Sequence, residues 1–443
     1  MLGEYRIEGR RASDIAASVE RAIGAGELQP GEVLPPMREL AVYLEVNPNT
    51  VASAYRTLRD RGVVETAGRR GTRVRSRPTS TPREALRVDV PPGVRNVSDG
   101  NPDLELLPAL GPALAAAADR AAARPALYGS PLVDEELAGQ ARAAFDADGV
   151  PAGPVALTSG SLDAIERVLA AHLRPGDAVA VEDPGWGSLL DLIPALGLRP
   201  VPVGVDQDGP LPTELERALA LGVRAAIVTD RAQNPTGAAV GATRAEELRS
   251  LLADYPTVLL VEDDHSHPIV DVPLRPLAGV TDHWVLIRST AKAYGPDLRL
   301  AVVTGDTVTV DRLRGRQRLG PGWVSHLLQD TVIHLWRTEA VDPAEVAESY
   351  GRRRDELIRA LAERGVEAHG RSGMNVWVPV PDETGAVSRL LHAGWAVAPG
   401  ARFRMDSPPG IRITVSSLSR EDIEPLATAV ATACLPGEAR RYV

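Results

Sequence analysis

A single lysine, Lys292, stands among 48 arginines in a chain of 443 residues. Arginine supplies surface charge as well as lysine does, but a guanidinium never becomes the neutral amine that an imine requires. The neighbours of Lys292 therefore decide what it is for. It sits in Ile287-Arg288-Ser289-Thr290-Ala291-Lys292, after an apolar run that reads as a strand, with Arg299 seven residues on. A lysine at a strand end, with a serine three residues before it and an arginine seven after, can hold an aldehyde that bears a phosphate. The amine takes the aldehyde carbon, and Ser289 and Arg299 take the phosphate.

Further groups suited to the same ligand recur along the chain. Thr158-Ser159-Gly160-Ser161-Leu162 opens a helix, so the free N–H groups at Ser161 and Leu162 form a second anion site. Asp263, in Val261-Glu262-Asp263-Asp264, ends a strand where its carboxylate can keep a pyridine nitrogen protonated and the ring an electron sink. Asn234, in Gln233-Asn234-Pro235-Thr236-Gly237, can donate to a phenolic oxygen, and Trp186 can stack on a ring face. Taken singly, Asp263 is an ordinary strand-end residue and Trp186 a core aromatic. Their combination with Lys292 argues for one site.

The elements that must position these groups are short Val-rich strands alternating with Ala/Leu/Arg helices from about residue 96. Strands are expected at 178–181, 225–229, 258–262 and 284–288. Near-continuous apolar strands between helices indicate a mostly parallel α/β sheet covered on both faces. Residues 77–95, rich in Pro and Ser, read as a linker.

The first 76 residues have a different texture. Ile15, Val19, Ala22 and Ile23 share one face of a helix over 12–24. A second helix runs from about Pro36 to Leu44. A third begins after Asn47, a good N-cap, with Pro48 in the first helical position and Val51, Ala54, Tyr55 and Leu58 inward. Two short strands around Ala67-Gly68-Arg69-Arg70 complete a hairpin with a basic tip. Three helices and a basic hairpin make a winged helix-turn-helix, whose third helix can enter a major groove.

With Leu34-Pro35-Pro36-Met37-Arg38-Glu39-Leu40 and Val46-Asn47-Pro48-Asn49-Thr50, this segment resembles the GntR family over about residues 12–75. The resemblance implies DNA contacts at Arg38, Asn47, Asn49, Thr50, Arg70 and Gly71. The order of the cofactor residues resembles fold-type I pyridoxal-phosphate aminotransferases over about 96–443, a large part to about 305 and a small α+β part beyond. That likeness implies pyridoxal 5′-phosphate as cofactor and makes Asp263 the pyridine-nitrogen partner. It places Tyr128 at the phosphate of the opposite subunit, and Arg412 at a substrate carboxylate as a planar two-donor fork. His265 stands where related sites usually carry a tyrosine near the phenolic oxygen.

The two halves together resemble the MocR/GabR-type regulators. That resemblance implies a homodimer, often with each winged helix crossing to the partner's body, and a signal sensed through an aldimine at Lys292. Pyridoxal phosphate itself and an amino acid held by Arg412 both remain as effectors. Ser188 disfavours γ-aminobutyrate, whose sensors carry an arginine there. Little or no turnover is expected. A working aminotransferase with an accessory DNA-binding module is the rival reading, and a cofactor-free dimerisation scaffold a third.

Charge and composition fit this division. Residues 1–77 hold 13 arginines against 10 acids, whereas the whole chain carries −10; only the part that touches phosphates needs a positive field. Met1–Arg11 has no apolar signal core, and no apolar run approaches the ~20 residues of a membrane span. The one cysteine, Cys434, excludes an internal disulfide and fits a reducing compartment, so the cytoplasm is expected. No residue pattern calls for a metal.

Overall fold

The computed structural model describes residues 7–24, 28–29, 31–60, 63–66, 71–74 and 83–434. The chain falls into two compact units. One is Met1–Pro82 with Leu173–Asp177 and Ile193–Arg199, and the other comprises Arg83–His172, Ala178–Leu192 and Pro200–Val443.

In the first unit, helices α1 (Ala12–Gly24), α2 (Met37–Tyr43) and α3 (Pro48–Asp60) precede an antiparallel hairpin of β1 (Val64–Thr66) and β2 (Thr72–Val74). Ile15, Val19, Leu40, Val51, Ala54, Tyr55 and Leu58 form its core. This is the face that helical spacing predicts. Asn47 caps α3: its Oδ1 accepts from the Asn49 N–H at 2.9 Å. The Tyr55 hydroxyl crosses the core and donates to the Pro35 carbonyl at 2.8 Å, tying α3 to the start of α2. Arg38, Asn47, Asn49, Ser53 and Arg56 are exposed, and Thr50 is half-buried. Gly71 enters β2 with φ +86°, which a side chain would resist. Arg70 and the rest of the hairpin tip lie outside the described residues.

The second unit is built on strands β3 (Arg95–Asn96), β4 (Val155–Thr158), β5 (Ala178–Asp183), β6 (Arg199–Asp206, in this unit from Pro200 on), β7 (Gly209–Pro210), β8 (Ala225–Thr229), β9 (Leu259–Asp263), β10 (His283–Ser289) and β11 (Ala301–Gly305). All but β3 join one eight-stranded sheet in the order β4-β11-β10-β9-β8-β5-β6-β7. β5, β8, β9 and β10 run parallel, and β11 is antiparallel to β10 and β4. Every residue of β4, β5, β8, β9 and β11 is buried. That is why these strands read as continuous apolar runs rather than alternating ones.

The C-terminal part follows with β12 (Asn375–Pro379), β13 (Trp395–Ala396), β14 (Ala398–Pro399) and β15 (Gly410–Thr414). β12, β15 and β14 make a three-stranded antiparallel sheet beside the helices Pro343–Ala362 and Arg420–Cys434, while β13 pairs with β3 in parallel. The expected α/β class with a small α+β part is the one the chain adopts.

Of the segment read as linker, residues 83–95 are held to this unit. The Arg83 N–H donates to Asp191 at 2.7 Å, and its guanidinium donates to the carbonyls of Ala401 and Arg404 at 3.0 and 2.8 Å. Pro/Ser composition conceals such an anchor, because a single arginine supplies it. Among the described residues, no helix is long and apolar enough to cross a membrane.

Candidate cofactor site

The carboxyl ends of β5, β9 and β10 deliver Asp183, Asp263 and Ser289 to one end of the sheet, where ligands of open α/β sheets bind. Past Ser289 the chain turns through Thr290, whose N–H and hydroxyl both donate to the Leu300 carbonyl, at 3.0 and 2.8 Å. This turn, pinned back on β11, carries Lys292 in the short helix Ala291–Tyr294.

The Lys292 amine donates to the carbonyl of Gly100, close to Arg412. Burial, and secondarily the positive charge of Arg412, bring its pKa down to about 8. A lysine so placed is a nucleophile near neutral pH, where a solvated one is not. Arg412 lies on β15 with its guanidinium 4.8 Å from the Phe403 ring. One of its terminal nitrogens donates to Asn234 Oδ1 at 2.9 Å, and the other to the Ser98 carbonyl. With Oδ1 engaged, Asn234 has its NH2 left to donate, the role the sequence suggested for it.

Asp263 is buried at the end of β9. Its Oδ2 lies 3.2 Å from His265 Nδ1, and among the described residues its Oδ1 has no hydrogen-bond partner. His265 therefore addresses the carboxylate. This contact uses Nδ1 and leaves Nε2 for the phenolic oxygen beside which the sequence expects His265.

The anion-binding corner is assembled from distant parts. Arg299, in the left-handed conformation at φ 43°, donates to the Ser159 carbonyl at 2.7 Å. Gly160 lets the guanidinium approach, since a Cβ there would lie 2.8 Å from Arg299 Nη2. Ser161 begins the helix Ser161–His172, and its buried Oγ has no partner among the described residues. Leu162, half-buried, occupies the same first turn, whose N–H groups are free for an anion. The Ser289 hydroxyl accepts from the Ala291 N–H at 3.2 Å and keeps its proton for another acceptor.

Two further predicted residues have their recorded contacts elsewhere. Trp186 is half-buried at the start of the helix Gly187–Ala195, with its carbonyl accepting from Leu189 and Leu190. Tyr128 is 94% exposed, edge-on to Trp323 at 5.8 Å. Ser98, Gly100 and Phe403 were not foreseen. Only Gly100, within Ser98-Asp99-Gly100-Asn101-Pro102, left a trace in the sequence, as a turn signal.

On the other face of β9 lies Asp264, fully buried and held by Arg231 and Arg288. Asp148, Asp264 and His267 bring potential metal-ligand atoms within 4.8 Å of one another. The two guanidinium groups already take the oxygens of Asp264, so this cluster is an ion-pair network. Burial, reinforced by Arg288, pushes the His267 pKa down to about 4.

A model of the class I and II aminotransferases matches residues 93–430, and one of the bacterial regulatory proteins of the gntR family matches residues 11–74. The chain belongs to the class I and II aminotransferases, with a gntR-type domain in front. Over 431 residues it is 41% identical to the vitamin B6 salvage pathway transcriptional repressor PtsJ of Salmonella typhimurium, covering 96% of this chain and 98% of that one. The pyridoxine biosynthesis regulator PdxR of Corynebacterium glutamicum is 28% identical over 312 residues, 67% of this chain and 66% of its own. Among solved structures, a double mutant of Thermus thermophilus aspartate aminotransferase superposes with a TM-score of 0.68 at 24% identity, covering 77% of this chain and 91% of that one. This last likeness speaks for the fold alone.

The cofactor of this aminotransferase-like body is pyridoxal 5′-phosphate, and the gntR-type domain binds DNA. The residues present fit that cofactor: a neutralisable amine at Lys292, a buried carboxylate oxygen of Asp263 awaiting a donor, and a buried Ser161 hydroxyl awaiting a partner beside Arg299. When bound, the group supplies an electron-withdrawing ring that stabilises negative charge on an attached amino compound.

One prediction tests the corner directly. Gly160 has φ +104°, and a methyl there would push against Arg299. Gly160→Ala is expected to weaken pyridoxal phosphate binding by roughly tenfold and to cost about 1 kcal/mol of stability from the left-handed backbone. Cofactor titration and urea unfolding measure the two separately. Unchanged affinity would show that Arg299 does not hold the phosphate.

Proposed function

We propose that this chain is a transcriptional regulator in which residues 1–76 read operator DNA and residues 96–443 bind pyridoxal phosphate and dimerise. Pyridoxal phosphate is itself the signal in this reading. One observation carries it: likeness at 41% identity, over nearly the whole length, to a repressor whose name places it in vitamin B6 salvage. Attachment at Lys292 changes DNA binding only if the cofactor prefers one conformation of the chain.

The dimer is supported by apolar side chains that a lone chain leaves bare: Leu104 at 83% exposure, Leu127 at 70% and Leu319 at 81%. Tyr128 belongs with them, and in the dimer we assign it to the partner's phosphate. Exposed Arg38, Asn47 and Asn49 are assigned to DNA, together with Thr50, Gly71 and Arg70. The cytoplasm suits a DNA-binding chain with one unpaired cysteine.

A mobility shift on the chain's own upstream DNA, with and without pyridoxal phosphate and with candidate amino acids, tests the proposal. A shift indifferent to pyridoxal phosphate would sink it. The second reading, a working aminotransferase, is favoured by the set Asp263, Lys292 and Arg412, and rapid multiple turnover with an amino acid would establish it.

Arg412 separates the two candidate signals. Arg412→Gln is expected to leave the equilibrium response to pyridoxal phosphate within about threefold, well under 1 kcal/mol, while abolishing any effect of amino acids. Loss of both responses together would mean that Arg412 serves the cofactor rather than a carboxylate.

A further inference from the structure

We propose that His265 is a positioning residue for the cofactor's ring nitrogen: by engaging Oδ2 of Asp263, it turns Oδ1 toward the pyridinium N–H. The inference rests on the cofactor reading above and deepens it.

A carboxylate rotates readily about its last torsion, whose energy profile is broad. One at a strand end, with neither oxygen fixed, would present either oxygen or an edge to a ring nitrogen. Here the two oxygens are unlike. Oδ2 has His265 Nδ1 at 3.2 Å, and Oδ1 is buried and without a partner among the described residues.

No neighbour competes for the role. Alternation along the strand sends Asp264 to the opposite face, where Arg231 and Arg288 are committed to it. Glu182, on β5, accepts from the Thr229 N–H and from Gln233 Nε2, at 2.8 and 3.1 Å. Among the described residues, His265 alone brings a cation-forming group within ion-pair range of Asp263. The pyridinium donor then meets a carboxylate oxygen that is already oriented, so less rotational freedom is lost on binding.

The test uses the full-length apoprotein with His265→Leu and His265→Asn, the latter retaining a side-chain N–H close to the place of Nδ1. Affinity is measured for pyridoxal phosphate and for its carbon analogue, in which CH replaces the ring nitrogen. His265→Leu is expected to lose about tenfold for pyridoxal phosphate, the scale of one charge-assisted hydrogen bond, and less than about twofold for the carbon analogue. His265→Asn should restore most of the difference. Equal losses for both ligands, or no loss for either, overturn the proposal, since a packing role would not distinguish nitrogen from carbon. If the unaltered chain takes up no pyridoxal phosphate, the cofactor reading fails and this inference with it. Urea unfolding and DNA binding of the apoproteins report whether each variant has folded.

Discussion

Lys292→Ala is expected to abolish the absorbance band near the visible edge that an attached pyridoxal group gives. It should also weaken retention of the cofactor at least about a hundredfold, or roughly 2.7 kcal/mol. No other lysine in the chain can substitute. The pKa of about 8, set by burial and then by Arg412, adds a pH signature. At pH 7.5 roughly a quarter of such amines are neutral, against about one in a thousand at an ordinary lysine value. Attachment should therefore speed up about tenfold per unit as pH rises toward 8 and level off above it. Lys292→Arg keeps the charge beside Arg412 but cannot attach, so it separates the covalent role from the electrostatic one. The winged helix has its own buried core, and DNA binding by the apoprotein should survive either substitution. A visible band remaining in Lys292→Ala would refute the assignment.

The DNA-binding half was legible almost residue by residue, because its signals are local. Asn47-Pro48 marks the start of α3, and spacing marks its buried stripe at Val51, Ala54, Tyr55 and Leu58. In the body, parallel strands announce themselves as apolar runs, so β5 and β8–β10 lie within a residue or two of where they were expected. The site was legible only where chemistry constrains residue type at short range: Lys292 with Ser289 and Arg299, and Asp263 at a strand end. What could not be read is what the fold brings from afar. The carbonyls of Ser98 and Gly100 meet Arg412 and Lys292 across gaps of 314 and 192 residues. The direction of His265 depended on how the chain leaves β9, which no pattern of residue types encodes. Gly160 reads as a helix-start glycine in the sequence, and only the structure puts Arg299 against it.

Asp264 offers the largest expected effect on stability. It is fully buried, accepting from Arg231 Nε at 2.9 Å and Nη2 at 2.6 Å, and from Arg288 Nε at 2.9 Å. Both guanidinium groups are themselves buried, and each spends a further nitrogen on a carbonyl: Arg231 on Val272 at 3.0 Å and Arg288 on Ala144 at 2.9 Å. Arg288 also pairs with Asp148, so it is the less exposed of the two to a loss at Asp264. Burial alone would raise the Asp264 carboxyl, but Arg231 and then Arg288 overcome it and hold the carboxyl below its ordinary value. A depressed folded-state pKa stabilises the native state fully above the ordinary carboxylate range, and that contribution is lost as pH falls through the folded value. Asp264→Leu would leave two buried cations with only Asp148 between them at neutral pH and should cost about 3–5 kcal/mol. Asp264→Asn keeps one acceptor and the side-chain shape, and should cost less. Urea unfolding at pH 7 measures both. Because Asp264 lies between Asp263 and His265, the leucine variant should also lose cofactor affinity before it loses its fold. A cost below about 1 kcal/mol would mean that water reaches the arginines and replaces the carboxylate, and that the network anchoring the end of β9 is wetter than its burial implies.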